Sequence, residues 1–219
     1  MDDFNEWLLK QQEVYTRFRN STIKIEGTRP NTPTKNTGGY LVAFRHPEEV
    51  REKISSFSRK IAETTPLLIY GKDVIHTSIT DFSVMENFSP EPGILRSLCD
   101  IVRKFNNKQS PKIDYQQWLY NQNTIILEGT PNELFFNYGW DVKNSGGEKH
   151  IQLRLPWGAH ITANRFKEEK NPEELRDFFK LMREAPVIGM TFPECIDVCT
   201  FSFDINGFEL KTYERFNLY

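Results

Sequence analysis

Two tripeptides carry the residue types of acid–base chemistry at one spacing: His76-Thr77-Ser78 and His160-Ile161-Thr162. Histidine titrates near pH 6.5, so one imidazole can take up a proton while a second, protonated, releases one. In a β-strand side chains alternate between faces, which puts each histidine and the hydroxyl two residues on along the same side. Two such strands facing one another across a groove suit phosphodiester cleavage. One imidazole deprotonates the attacking water or hydroxyl, and the other protonates the leaving oxygen. Such a step contributes about 10²–10⁴-fold. Ser78 and Thr162 would donate to the non-bridging oxygens, whose charge grows in the transition state. The scheme requires no metal, and no cofactor is expected.

Plainer readings stand beside this one. A single histidine in an apolar run is more often a hydrogen-bonded structural residue. What favours the pair is the pattern around each member. Ile75 and Ile79 lie opposite His76, Ser78 and Thr80. Ala159, Ile161 and Ala163 lie opposite His160, Thr162 and Asn164. His46 and His150 lack a hydroxyl two residues on and read as structural or surface residues. Asp73 and Asp81 flank His76 and invite a metal site. Asp81, however, has the wrong parity for the histidine face, and no helical zinc spacing occurs. Gly38–Gly39 and Gly146–Gly147 read as turn glycines rather than phosphate-binding loops, and no Gly-x-Ser-x-Gly elbow is present. Aromatic residues near the proposed groove are Tyr40, Phe82, Trp157 and Phe166. They are candidates to stack on a base, at about 1–3 kcal/mol each. Core packing is the competing role for all four. Lys72 and Lys149 lie near turns and read as solvated.

The elements that would hold these residues can be read from pattern. Phe4, Trp7, Leu8, Tyr15 and Phe18 form a stripe on an N-terminal helix over 3–19 that docks on the main body. Residues 26–39, rich in Gly, Pro, Thr and Asn, read as a long loop. A buried strand over 40–44 follows, then a helix with Val50, Ile54, Phe57 and Ile61 at helical spacing. Residues 67–82 read as two strands around Gly71-Lys72-Asp73. A helix opening with Ser and Pro signals comes next. A hairpin turns near Asn121–Asn123. A short helix starts within 131–140, 144–149 read as a turn, and 150–155 as a weak strand candidate. After the second histidine come a strand, a helix over 171–185 and a closing hairpin with Asp204-Ile205-Asn206-Gly207 at its turn. The halves share an order: histidine strand, helix with a Pro-Glu or Glu-Pro opening, hairpin. The interval from His76 to Pro90 resembles that from His160 to Pro172. This predicts an internal duplication of architecture.

Composition bounds the rest. Lys and Arg number 28 against 30 Asp and Glu, a net charge of −2. A grip on long duplex nucleic acid would need a basic excess, so a nucleotide or short oligonucleotide is the expected partner. No apolar run approaches a membrane span, and the acidic start lacks a signal-peptide core. The three cysteines, Cys99, Cys195 and Cys199, have no CxxC spacing and read as free packing thiols. A cytoplasmic monomer is expected.

With these motifs in this order of elements, the chain resembles the two-histidine (2H) phosphoesterase superfamily, with its RNA ligase-like, cyclic phosphodiesterase fold. The resemblance rests on "HTS" at 76–78, "HIT" at 160–162 and the order of elements across about 40–219. It implies an α+β, bilobal, pseudo-twofold fold, with two antiparallel sheets around a central cleft and helices outside. It implies metal-independent cleavage of cyclic or 2′–5′-linked nucleotides or of RNA 2′,3′-cyclic ends. It carries His76 and His160 over as acid and base, with Ser78 and Thr162 as phosphate donors. Arg165, three places beyond Thr162, resembles a frequent arginine of the family. Two features depart from the pattern. Residues 1–39 precede the first strand as an extension of the 40–219 domain. Arg165 also falls on the wrong parity. Either the strand ends or bulges by Asn164, or Arg165 is a surface or back-face residue. The rival reading is a binding module whose cleft holds a nucleotide or RNA end without turnover.

Overall fold

The structure is a computed structural model and describes residues 3–81 and 84–219. In chain order the elements are α1 (Phe4–Arg19), α2 (Ile23–Glu26), β1 (Thr37–Arg45), α3 (Glu48–Ala62), β2 (Leu67–Ile69) and β3 (Thr77–Asp81). Then come β4 (Met85–Glu86), α4 (Pro92–Val102), a 3₁₀ turn (Arg103–Phe105), β5 (Ile113–Tyr120), β6 (Thr124–Pro131) and α5 (Glu133–Glu148). The chain closes with β7 (His160–Phe166), α6 (Arg176–Met182), β8 (Gly189–Thr191), β9 (Cys195–Phe203) and β10 (Phe208–Asn217).

Local sequence accounts for most of these. α3 buries Ile54, Phe57 and Ile61 on one stripe, with Glu48 and Glu49 in its first turn and Arg59 and Lys60 in its last, which suits the helix dipole. α4 opens on Pro92, whose missing N–H costs nothing in a first turn, and buries Leu95, Leu98, Cys99 and Val102. Asn171 accepts from the amides of Glu173 and Glu174 just ahead of α6. Gly146 and Gly147 lie inside α5 rather than in a turn, and Gly38 and Gly39 lie inside β1. A Cβ at Gly146 would meet Leu153 at 2.6 Å, so the helix runs through glycine to let 151–155 pack against it. That segment forms only an isolated bridge, Asp81 to Arg154, in place of the strand suggested by its sequence.

Two antiparallel sheets result, ordered β10-β9-β1-β3 (with β4 also on β1) and β2-β7-β6-β5-β8. The duplicated halves are exchanged between them. The hairpin after the first histidine, β5-β6, lies in the sheet of the second histidine, and the hairpin after the second, β9-β10, lies in the sheet of the first. β2 and β3, read as neighbours, go to different sheets. Helix α5 packs on β3 and β6, α3 on β2 and β7, and α4 on β9 and β10. Phe44, Phe135, Tyr138 and Phe105 interlock where these layers meet. No described helix is long and apolar enough to cross a membrane. Cys99, Cys195 and Cys199 are buried free thiols, each pushed up to about 12 by burial.

Candidate active site

β3 and β7 are the strands at which the sheets approach, with Cα atoms within 8 Å. They line a cavity of about 580 Å³ that contains His76, Ser78, His160 and Thr162 together. The two imidazoles are held the same way. His76 donates from Nδ1 to the Val74 carbonyl at 2.7 Å, and His160 from Nδ1 to the Gly158 carbonyl at 3.0 Å. Each acceptor lies two residues before its histidine, so both rings are set in the Nδ1–H tautomer with Nε2 left for a ligand. Each ring is also backed by an aromatic. Phe208 stacks on His76 at 5.9 Å and Trp157 on His160 at 4.0 Å.

The strands are not regular, and that decides which residues join the histidines. Val42 pairs with Thr80 and Ala43 with Ser78, so Ile79 is an extra residue in β3. Ile125 pairs with Asn164 and Ile126 with Thr162, so Ala163 is an extra residue in β7. Each bulge lies three residues after its histidine. A bulge reverses the alternation beyond it. Arg165 is thereby carried into the cavity, which settles the open question of its parity. Its Nε donates to the Tyr70 hydroxyl at 3.1 Å and its Nη1 to Thr124 Oγ1 at 3.3 Å, and the guanidinium sits 4.9 Å over the Phe203 ring.

The same reversal corrects several expectations. Asp81 lines the cavity, at the position equivalent to Arg165, although regular alternation put it on the other face. Thr80 and Asn164, expected beside the histidines, are buried. Phe166 is 1% exposed and packs edge-on against Phe178 at 5.5 Å, away from the cavity. Tyr40 is also 1% exposed. Leu41, its neighbour on β1, takes the cleft face, which turns Tyr40 back to accept from the Glu91 amide at 2.6 Å and pack against Phe88. Trp157 does line the cavity. Phe82 lies outside the described residues. Lys72 and Lys149 pair with Glu48 and Asp100. Sequence reading missed Tyr70, Phe201, Phe203 and Phe208, which close one side of the cavity, with Phe208 stacked on Tyr70 and Phe201 and tilted against Phe203. Their signal was there: phenylalanines two apart in β9, facing another just past the turn.

Burial disfavours the protonated form of both imidazoles. Burial pushes His160 down to about 4; the Gly158 hydrogen bond opposes this, while His76 and Arg165 add to it. Burial also lowers His76. Val74 opposes the shift, Arg45 adds to it and the Asp197 carboxylate opposes it. Asp197 is itself buried and gripped by Arg215 at 2.7 and 2.9 Å. Among the described residues no three His, Cys, Asp or Glu side chains come together as metal ligands would.

His46 is buried outright, against Thr77 Oγ1 at 2.8 Å and Thr191 Oγ1 at 3.3 Å, and burial pushes it down to about 3. It is a structural histidine. Because His46 and His160 hold protons less well folded than unfolded, stability is full above about pH 6.5. It is lost as pH falls from there toward 4. Denaturant midpoints measured from pH 7.5 to 4.5 should drop mostly below 6.5, and His46→Gln should flatten that drop. A midpoint unchanged down to pH 4.5 would contradict it.

No family model matches the chain, and no curated protein matches it. Solved structures do. TT0787 of Thermus thermophilus is 14% identical with a TM-score of 0.56, covering 82% of this chain and 97% of that one. E. coli LigT in complex with 3′-AMP is 12% identical with a TM-score of 0.56, covering 83% and 98%. A structure described as a phosphoesterase is 14% identical with a TM-score of 0.57, covering 82% and 97%. LigT is also seen in complex with ATP and with NADP⁺. The α+β fold expected from the two-histidine phosphoesterase resemblance is the fold observed.

Proposed function

We propose that the chain is a metal-independent phosphodiesterase acting on cyclic or 2′–5′-linked nucleotides or on RNA 2′,3′-cyclic ends. The observation that carries this reading is the matched pair of imidazoles, both Nδ1-anchored, in one cavity. The fold shared with nucleotide-bound LigT supports it. Binding alone calls for neither an acid nor a base.

The phosphodiester lies between the two Nε2 atoms. A proton on His76 and the Arg165 guanidinium both disfavour a positive charge on His160, whereas His76 has the Asp197 carboxylate to offset Arg45. His160 is therefore the base, taking a proton from the attacking water as its oxygen bonds to phosphorus. His76 is the acid, giving its proton to the oxygen that leaves. The Ser78 and Thr162 hydroxyls donate to the non-bridging oxygens, and Arg165 supplies positive charge for them. Trp157 and the aromatic wall stack on the base.

The test is a screen of cyclic mononucleotides, cyclic dinucleotides and 2′–5′ oligoadenylates, with and without EDTA. Turnover that survives EDTA is expected. Binding without turnover would favour the module reading, and activity restored only by added metal would overturn the mechanism. For the best substrate, kcat/KM reports the free protein and needs one imidazole protonated and one neutral. Both titrate below the ordinary value, so the optimum should lie below about pH 6.5 and activity should fall as pH rises. An optimum above pH 7.5 would contradict these assignments.

A further inference from the structure

Helix α1 reaches the catalytic strand with a side chain that sequence did not single out. Gln11 is 0% exposed, and its Oε1 accepts from the Ala159 amide at 2.8 Å. That N–H and the Gly158 carbonyl belong to one peptide unit. The Gly158 carbonyl is the acceptor for His160 Nδ1. Gln11, the 158–159 peptide and the imidazole thus form one hydrogen-bonded line. A chain of such bonds polarises its members, since an N–H that donates makes its own carbonyl a better acceptor.

The surroundings are shaped around this contact. A Cβ at Gly158 would lie 2.7 Å from Gln11 Cγ and 2.9 Å from Oε1, so only glycine lets the amide approach. One turn on, the Tyr15 hydroxyl donates to the Ala159 carbonyl at 3.0 Å and accepts from the Gly129 amide at 3.1 Å. Trp7 Nε1 donates to the Pro156 carbonyl at 2.9 Å. Tyr15 and Phe18 pack on Trp157, the ring that backs His160. Among the described residues Gln11 Nε2 has no hydrogen-bond partner.

We propose that Gln11 is a positioning residue for His160, acting through the 158–159 peptide to hold the imidazole in the Nδ1–H tautomer with Nε2 toward the substrate. The consequence for turnover rests on the acid–base role given to His160. The tautomer does not.

The test reads both. In ¹⁵N-histidine-labelled protein near pH 7.5, ring nitrogen shifts report which nitrogen of His160 carries the proton. Wild type should show Nδ1–H. Gln11→Leu, which fills the space but cannot accept, should show a mixture with Nε2–H. Gln11→Glu, which keeps an acceptor oxygen, should restore Nδ1–H. With the best phosphodiester from the screen, Gln11→Leu should lower kcat about ten-fold while KM changes less than about two-fold. Gln11→Glu should recover most of that loss. If Gln11→Leu does not fold, Gln11→Ala, which adds no atoms against Gly158, takes its place. An unchanged tautomer in the folded variant overturns the proposal. So does Nε2–H in wild type, whether or not any variant folds. If no phosphodiester is turned over, the enzymatic reading fails while the tautomer shift still decides the role of Gln11.

Discussion

Alanine at either His76 or His160 is expected to lower kcat by about 10²–10⁴-fold with the fold intact. At 1.36 kcal/mol for each tenfold, that is about 2.7–5.4 kcal/mol of lost transition-state stabilisation. The fold should survive because each ring is only partly buried and borders a cavity rather than plugging the core. Phe208 and Trp157 would lose a stacking partner but remain packed against Tyr70 and Phe201 on one side, and Tyr15 and Phe18 on the other. The double substitution should cost little more than the worse single one, because a proton relay needs both ends. Single-turnover and steady-state rates, with circular dichroism to confirm folding, would check this. Wild-type kcat in either folded single variant refutes the pairing.

Arg165→Ala should lower kcat/KM by about 10²-fold. The guanidinium is braced by Tyr70, Thr124 and the Phe203 ring, so it enters the cavity already ordered and gives up little entropy on meeting phosphate. Its charge counts for more there than at an open surface. Arg165→Lys should recover only part of the loss, since an ammonium cannot bond Tyr70 and a phosphate oxygen in the same planar fork. Equal activity in all three proteins would make Arg165 a packing partner of Phe203 and nothing more. The same measurement tests the Ala163 bulge, because without it Arg165 would face the other way.

That bulge marks where the sequence became hard to read. Polar and apolar positions alternate cleanly through His160, Ile161 and Thr162, and Ile75 and Ile79 mark the back face of the strand that carries His76 and Ser78, so the motif faces were legible. Extending the alternation failed three residues beyond each histidine. Phe166 was read into the cleft and Asp81 out of it, and both were reversed. Tyr40 failed for a related reason: an aromatic beside a predicted groove carries no mark of which face of its strand the groove will use. Gln11 was invisible because its partner is a backbone amide, and backbone groups look alike in any sequence.

The sequence by itself determined the two His-x-Ser/Thr motifs proposed to carry the chemistry, most of the strands and helices that flank them and the doubled order of those elements. These follow from residue type and short-range periodicity. Only the tertiary structure decided that each half lends its hairpin to the other's sheet, that Arg165 and Asp81 turn inward and that α1 reaches the peptide behind His160. Each of those is a property of pairing. An extra residue is a bulge only against a partner strand that lacks it, and a glutamine orients an imidazole only if a distant segment of chain is folded against it.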